Sequence, residues 1–115
     1  MDQKTSVSVI MSVYTISTEQ ILLEAIESIL IQTKQDLELI ICNDGASASC
    51  AELLKQMEQK DSRIHLLENK ENMGLAYSLN RCLKAAKGIY IARMDADDRS
   101  HRERIEKEIA YLEAT

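Results

Sequence analysis

Phenylalanine and tryptophan are absent from this 115-residue chain, and tyrosine occurs only as Tyr14, Tyr77, Tyr90 and Tyr111. The core must come from Ile, Leu, Val, Ala and Met, and a base-stacking platform for single-stranded nucleic acid is disfavoured. Positive charge is scarce too: 14 Lys and Arg against 19 Asp and Glu leave a net charge of −5. Phosphate-backbone binders need a positive surface, so no nucleic-acid partner is expected. An anionic ligand would need local compensation, such as a metal ion. No apolar run approaches the roughly 18 residues of a transmembrane helix.

Glycine is limited to Gly45, Gly74 and Gly88, and none is placed for a Walker phosphate loop. The turn after the first apolar run, "SVYTISTEQ", has no glycine at all, which disfavours a dinucleotide fingerprint. Cysteine occurs as Cys42, Cys50 and Cys82, an odd number, and neither these nor His65 and His101 show paired zinc-ligand spacing. Cys42 and Cys82 read as small core hydrophobes. With no signal peptide before "MDQKTSVSVIM", a reducing, cytoplasmic setting is expected.

What is present has the size of one domain. "SVSVIMSVY" (6–14) is short and rich in Val and Ile, as a buried strand should be. "STEQILLEAIESILIQT" follows with Ser17 or Thr18 as N-cap and Leu22, Ala25, Ile26, Ile29 and Leu30 at helical spacing. "LELIICND" (37–44) is a second strand, "SCAELLKQMEQK" (49–60) a second helix, and "RIHLLENK" a third, shorter strand. "MGLAYSLNRCLKAAKG" places Leu75, Leu79, Cys82, Leu83 and Ala86 on one face and stops at Gly88, read as a C-terminal cap. "IYIARM" is a fourth strand, and Ser100 with Glu103 forms a capping box for the last helix. The order βαβαβαβα predicts an α/β fold: an open, Rossmann-like parallel sheet with helices on both faces.

In such sheets ligands bind beyond the carboxyl ends of the strands, near the reversal of strand order. The candidate positions are Ser12, Val13 and Tyr14, then Asn43 to Gly45, then Glu68 to Asn72, and finally Asp95 to Asp98. The last set is an Asp-x-Asp-Asp at the end of an apolar strand. Alternate residues of an extended chain point the same way, so Asp95 and Asp97 can converge while Ala96 turns away. Hard cations such as Mg²⁺ and Mn²⁺ take carboxylate ligands, and a nucleotide diphosphate would complete the shell. The competing reading is a solvated acidic loop before a helix.

Taken together, "VSVIMSVY", "LLEAIESILIQT", "LELIICNDGAS" and "NMGLAYSLNRCLKAAKGIYIARMDADD" resemble, in order and spacing, the amino-terminal half of family 2 glycosyltransferases with the GT-A fold. The resemblance spans essentially residues 1–115, the nucleotide-sugar-binding half of such a domain, truncated at the C-terminus. It implies that the turn Ser12, Val13, Tyr14 borders the base and that Asp44 hydrogen-bonds uracil or its equivalent. It also implies that Asp95 contacts the ribose side and Asp97 coordinates Mg²⁺ or Mn²⁺ with Asp98 as helper. Asn72 and Gly74 fall in the family's N-x-G motif beside the nucleotide, with a plain helix-entry turn as the competing reading. Plain readings also stand for Tyr14, as a strand-end aromatic, and for Asp44, as an Asx turn. Two departures bear on this: Thr15 stands where Asn is frequent, and Ala46 to Ala48 replace Ser-Thr-Asp, removing an acid near the ribose.

The implied reaction is metal-dependent, inverting transfer of a sugar from a nucleotide-diphosphate sugar, UDP-linked as the first choice, to an acceptor hydroxyl. The acceptor is a saccharide or a lipid-linked one, and the full-length protein would work in the cytoplasm at the inner face of the membrane. The family's general base comes from a later segment, so the expectation for this chain is donor binding without transfer, and self-association of its uncovered apolar surface. Alternatives are a non-catalytic nucleotide-binding or interaction module and a haloacid-dehalogenase-type phosphatase. The phosphatase motif, however, ends a first strand rather than a fourth.

Overall fold

The computed structural model describes residues 5–14, 18–33, 35–96 and 103–114. Within them the chain runs β1 (Val7–Val13), α1 (Glu19–Leu30), β2 (Leu37–Asn43), α2 (Ala48–Lys60), β3 (Ile64–Glu68), α3 (Leu75–Ala85), β4 (Tyr90–Arg93) and α4 (Arg104–Ala114). All strand pairs are parallel, in the order β3-β2-β1-β4. Val7 pairs with Leu37 on one side and Tyr90 on the other. The chain thus builds outward from β1 to β3 and then returns to the opposite side of β1, so the order reverses between β1 and β4.

Burial follows position in the sheet. Every residue of central β2 is buried, whereas edge strand β4 alternates between half-buried and exposed. Val7, Val9, Met11 and Val13 join Leu22, Ile26 and Ile29 of α1, Leu54 of α2, and Ile105 and Ile109 of α4 in the larger core. Ile10, Ile40, Cys42 and Cys82 form the smaller core under α3 on the other face. In α1 the Thr18 hydroxyl accepts from Ile21 N at 3.1 Å. That cap contributes about 1 kcal/mol, while each of Leu22, Ile26 and Ile29 contributes about 2 kcal/mol by burial, so packing outweighs capping in holding α1. The cap of α2 is Ser47, and the helix starts at Ala48, one residue before the boundary read from sequence. The start of α4 is held by buried Gln32, whose Oε1 accepts from Ile105 N at 3.0 Å. Ser100, the expected cap, lies outside the described residues.

Two expectations for α3 are corrected. The helix ends at Ala85 with Ala86 as C-cap, and among the described glycines only Gly45 and Gly74 have positive φ, so Gly88 is not a left-handed cap. A Cβ on Gly88 would lie 2.5 Å from the Ser8 backbone nitrogen, and close approach to β1 is what demands glycine there. Leu75 and Leu83, placed on one face with Leu79, Cys82 and Ala86, are 50% and 45% exposed; the line facing the sheet is Ser78 and Cys82, flanked by Leu79 and Ala86. Because α3 packs over β1 and β2, its flank bearing Leu75 and Leu83 is left open.

All three cysteines are free and buried. Burial pushes the Cys82 thiol up to about 11, with Cys42 beside it adding to the effect, and burial raises the Cys42 thiol as well. The thiolate is the reactive form. Native protein at pH 8 should therefore release no thionitrobenzoate from Ellman's reagent over minutes, and three equivalents after denaturation, matching the cysteine count. Fast labelling of even one thiol in the native state would contradict the buried assignment.

Candidate functional site

β2 ends in Asn43, whose Oδ1 accepts from Gly45 N at 3.2 Å and Ala46 N at 2.9 Å. This is the Asx turn considered from sequence for Asp44; it belongs to the preceding residue. The turn leaves Asp44 pointing across to the loop between β3 and α3. Its side chain is 2% exposed, and its carboxylate accepts four hydrogen bonds: Asn69 Nδ2 (2.8 Å) and Met73 N (2.6 Å) on Oδ1, Asn72 Nδ2 (2.9 Å) and Gly74 N (3.0 Å) on Oδ2. Gly74 adopts φ +95, which turns its N–H to the carboxylate and opens α3 without a side-chain cap. Burial alone would raise the pKa of Asp44, but the hydrogen bonds from Met73, Asn69 and Gly74 outweigh it and hold the carboxyl below its ordinary value.

Tyr14 and Asn72 meet above this anchor. A Cβ built on Gly45 would touch Tyr14 Cδ1, Tyr14 Cε1 and Asn72 Cβ, each at 3.6 Å, so the ring and the amide flank one backbone turn. The Tyr14 ring is 52% exposed. Ser12 is half-buried beside it at the end of β1. Val13 turns its side chain into the core, and its carbonyl accepts from Asp44 N at 2.8 Å. Of the residues read as nucleotide-binding, Tyr14, Asp44, Asn72 and Gly74 are thus brought into one cluster.

On the other side of β1, Met94 N donates to Ile10 O at 3.0 Å, and the β4 ladder ends with Arg93 opposite Ile10, short of the carboxyl end of β1 at Val13. Asp95 is exposed and Ala96 is buried, as alternation requires. Asp95 Oδ1 accepts from Arg93 Nη2 at 3.2 Å, both side chains being more than half exposed. An exposed carboxylate oxygen suits a hard divalent cation. Among the described residues no cluster of three metal-ligating side chains forms, and Asp97 and Asp98 lie outside those residues.

Asn69 lies within the candidate positions Glu68 to Asn72, whereas Ser78 and Arg81 were not assigned to the site from sequence. Asn69 Nδ2 donates to Asp44 and to Ser78 Oγ (2.9 Å), while its Oδ1 accepts from Arg81 Nη1 at 2.7 Å and from Cys42 Sγ at 3.4 Å. Arg81 also donates to Glu68 O at 3.0 Å. The available signal was Ser78 with Cys82: small residues one turn apart on a helix's buried line mark close approach and a paired hydroxyl. A groove of about 370 Å³, lined by Met73, Tyr77 and Arg81 among others, opens beside the loop on the β3 side.

Residues 8–115 match the model for glycosyl transferase family 2. EpsE of Bacillus subtilis, a glycosyltransferase by name, is 46% identical over 114 residues, which is 98% of this chain and 40% of EpsE. An uncharacterized glycosyltransferase of Haemophilus influenzae is 43% identical over 107 residues, 93% of this chain and 32% of that protein. The chain therefore spans well under half the length of these relatives. Among solved structures, the mannosyltransferase PcManGT of Pyrobaculum calidifontis, in complex with GDP-Man and Mn²⁺, superposes with a TM-score of 0.83 at 21% identity over 96% of this chain and 33% of its own. TarS of S. aureus in complex with UDP-GlcNAc gives 0.81 at 21% identity over 95% of this chain and 31% of its own. At that identity the likeness concerns the fold, which is the Rossmann-like arrangement of GT-A glycosyltransferases.

Proposed function

The chain belongs to glycosyl transferase family 2, and from that premise we propose that it binds the donor of a sugar-transfer reaction, a nucleotide-diphosphate sugar, across the carboxyl ends of β2, β1 and β4. The observation that carries this reading is the convergence of Tyr14, Asp44, Asn72 and Gly74 beyond the ends of β1 and β2, next to the reversal of strand order. Tyr14 flanks the base on an otherwise open rim, Ser12 borders it, and Asp44 is the fixed floor of the pocket. Asp95 faces the ribose and, with Asp97 and Asp98, holds Mg²⁺ or Mn²⁺. A cation bound there supplies neutralisation of the charge that develops on the departing diphosphate.

UDP is the first nucleotide to test in this acidic protein, and the inverting step, its general base and the acceptor surface are assigned to polypeptide that the longer relatives carry beyond the matched part. For these residues the proposal is donor binding in the cytoplasm without transfer. Titration with UDP should show binding that strengthens with Mn²⁺, and Asp97→Ala should remove that strengthening, weakening binding in Mn²⁺ by about tenfold or more. Binding that ignores both the metal and the substitution would overturn the reading.

A further inference from the structure

The sheet ends in β3 on one side and β4 on the other. Asn69 N donates to Asn43 O and Leu39 N to Arg63 O, so in the parallel ladder Arg63, His65, Leu67 and Asn69 face β2. Ile64, Leu66 and Glu68 therefore turn their N–H and C=O groups away from the sheet, where a further strand could pair with them. Each of the three is engaged. Ile64 N donates to Asp61 O at 3.1 Å, Leu66 N donates to Glu58 Oε2 at 2.7 Å, and Glu68 O accepts from Arg81 Nη1 at 3.0 Å. Glu58 comes from α2 and Arg81 from α3, so helices on opposite faces of the sheet each send one half-buried side chain over this rim. On β4 the outward residue Ile91 has no such partner among the described residues, and its side chain is 46% exposed.

We propose that Glu58 and Arg81 close the β3 edge against a further strand, the strand excluded being β3 of a second copy of this chain. The need is written in Ile64–Glu68, IHLLE, which has three large aliphatic residues in five and neither proline nor glycine. A strand of that composition with a bare edge is a template for its own kind. An incoming strand must take the Leu66 N–H from a carboxylate, which holds it more strongly than a peptide carbonyl would. It must also displace a guanidinium from Glu68 O, and the same Arg81 nitrogen holds Asn69 Oδ1 at 2.7 Å. Both exchanges replace a charge-assisted hydrogen bond by a neutral one, so pairing at this edge is unfavourable while the two side chains are in place.

The test compares the parent chain, Glu58→Ala and Glu58→Gln by sedimentation velocity over a concentration series, with amide hydrogen exchange locating the contact. Arg81 is left in place because it also holds Asn69 in the cluster around Asp44. Both substitutions remove the same charge, but the glutamine amide oxygen can still accept from Leu66 N. Glu58→Ala should associate at about tenfold lower concentration than the parent, the worth of one or two edge hydrogen bonds, and its exchange in β3 should slow as concentration rises. Glu58→Gln should behave as the parent does. Association through any other surface is common to the three chains and cancels in the comparison. If Glu58→Ala associates no more than the parent, the inference is overturned. Equal association of both variants would overturn it as well, by making charge rather than the hydrogen bond the barrier, and so would slowed exchange in β4 instead of β3. Association accompanied by faster exchange throughout β1 and β2 is aggregation of unfolded chain, and that outcome also counts against it.

Discussion

Asp44→Ala should melt on the order of 10 °C below the parent chain, the larger of the losses that single substitutions near the site will produce. The carboxylate lies in a buried position and takes hydrogen bonds from Asn69, Asn72, Met73 N and Gly74 N at 2.6 to 3.0 Å. Truncation leaves these donors facing a void. A buried donor left unpaired costs about 1–3 kcal/mol, and because the loop of residues 70–74 can reach water in part, the sum should be about 3 kcal/mol rather than the full four-fold penalty. Asp44→Asn is no remedy, since its amide nitrogen would confront donors. A melting temperature within about 2 °C of the parent for Asp44→Ala would mean that the network does not hold α3 to β2.

The same residue sets an acid limit. Its folded-state carboxyl titrates below the ordinary 3.8 of an unfolded aspartate, so the folded protein binds this proton less readily than the unfolded chain does. The stability it contributes is complete above about pH 4 and is lost as pH falls through the lowered folded value. Asp61, held low by hydrogen bonding to Arg63, adds a parallel loss. Stability measured in urea from pH 6 down to pH 2 should therefore fall less steeply in Asp44→Asn than in the parent, with the Asp61 contribution remaining in both.

How much of this was legible follows from where each residue draws its burial. β1 and β2 stood out because central strands covered on both faces must be apolar almost throughout, and α1 because Leu22, Ala25, Ile26 and Ile29 all meet one core. Asp95 and Ala96 fell to opposite sides by alternation alone. In α3 the face of Leu79, Cys82 and Ala86 was legible, but Leu75 and Leu83 were grouped with it because periodicity follows large apolar residues, and Ser78 was passed over because the burial of a hydroxyl depends on a partner in another element. Asn69 lay within the candidate span Glu68 to Asn72, but its bonding role was not legible: its partners lie at the end of β2 and on α3, and no local pattern distinguishes it from any polar residue after a strand. Asp44 was found by its position at a strand end. Its saturation by four donors is a tertiary fact that spacing does not encode.

Gly88→Ala should cost about 3 kcal/mol, although Gly88 lies at the opposite end of the sheet from the site. Here the new methyl meets Ser8 N at 2.5 Å, and Ser8 Oγ and Val7 C at 2.7 Å, so two of its three collisions are with backbone that cannot swing aside. The same turn is fastened to the sheet by Gly88 N donating to Ser8 Oγ at 2.8 Å and Lys87 N donating to buried Glu38 Oε2 at 2.7 Å, with the Ser8 hydroxyl also on Oε2. Relief requires β4 to move off β1, which breaks these bonds and loosens the Val7 to Ile10 ladder that sets the height of Asp95. The variant should therefore melt on the order of 10 °C low and show faster amide exchange in β4 than in β2. Adding Ser8→Ala removes one collision and leaves the backbone ones, so the double variant should be no more stable than Gly88→Ala alone. Rescue by Ser8→Ala would show that the hydroxyl, not the main chain of β1, is what excludes a side chain at Gly88.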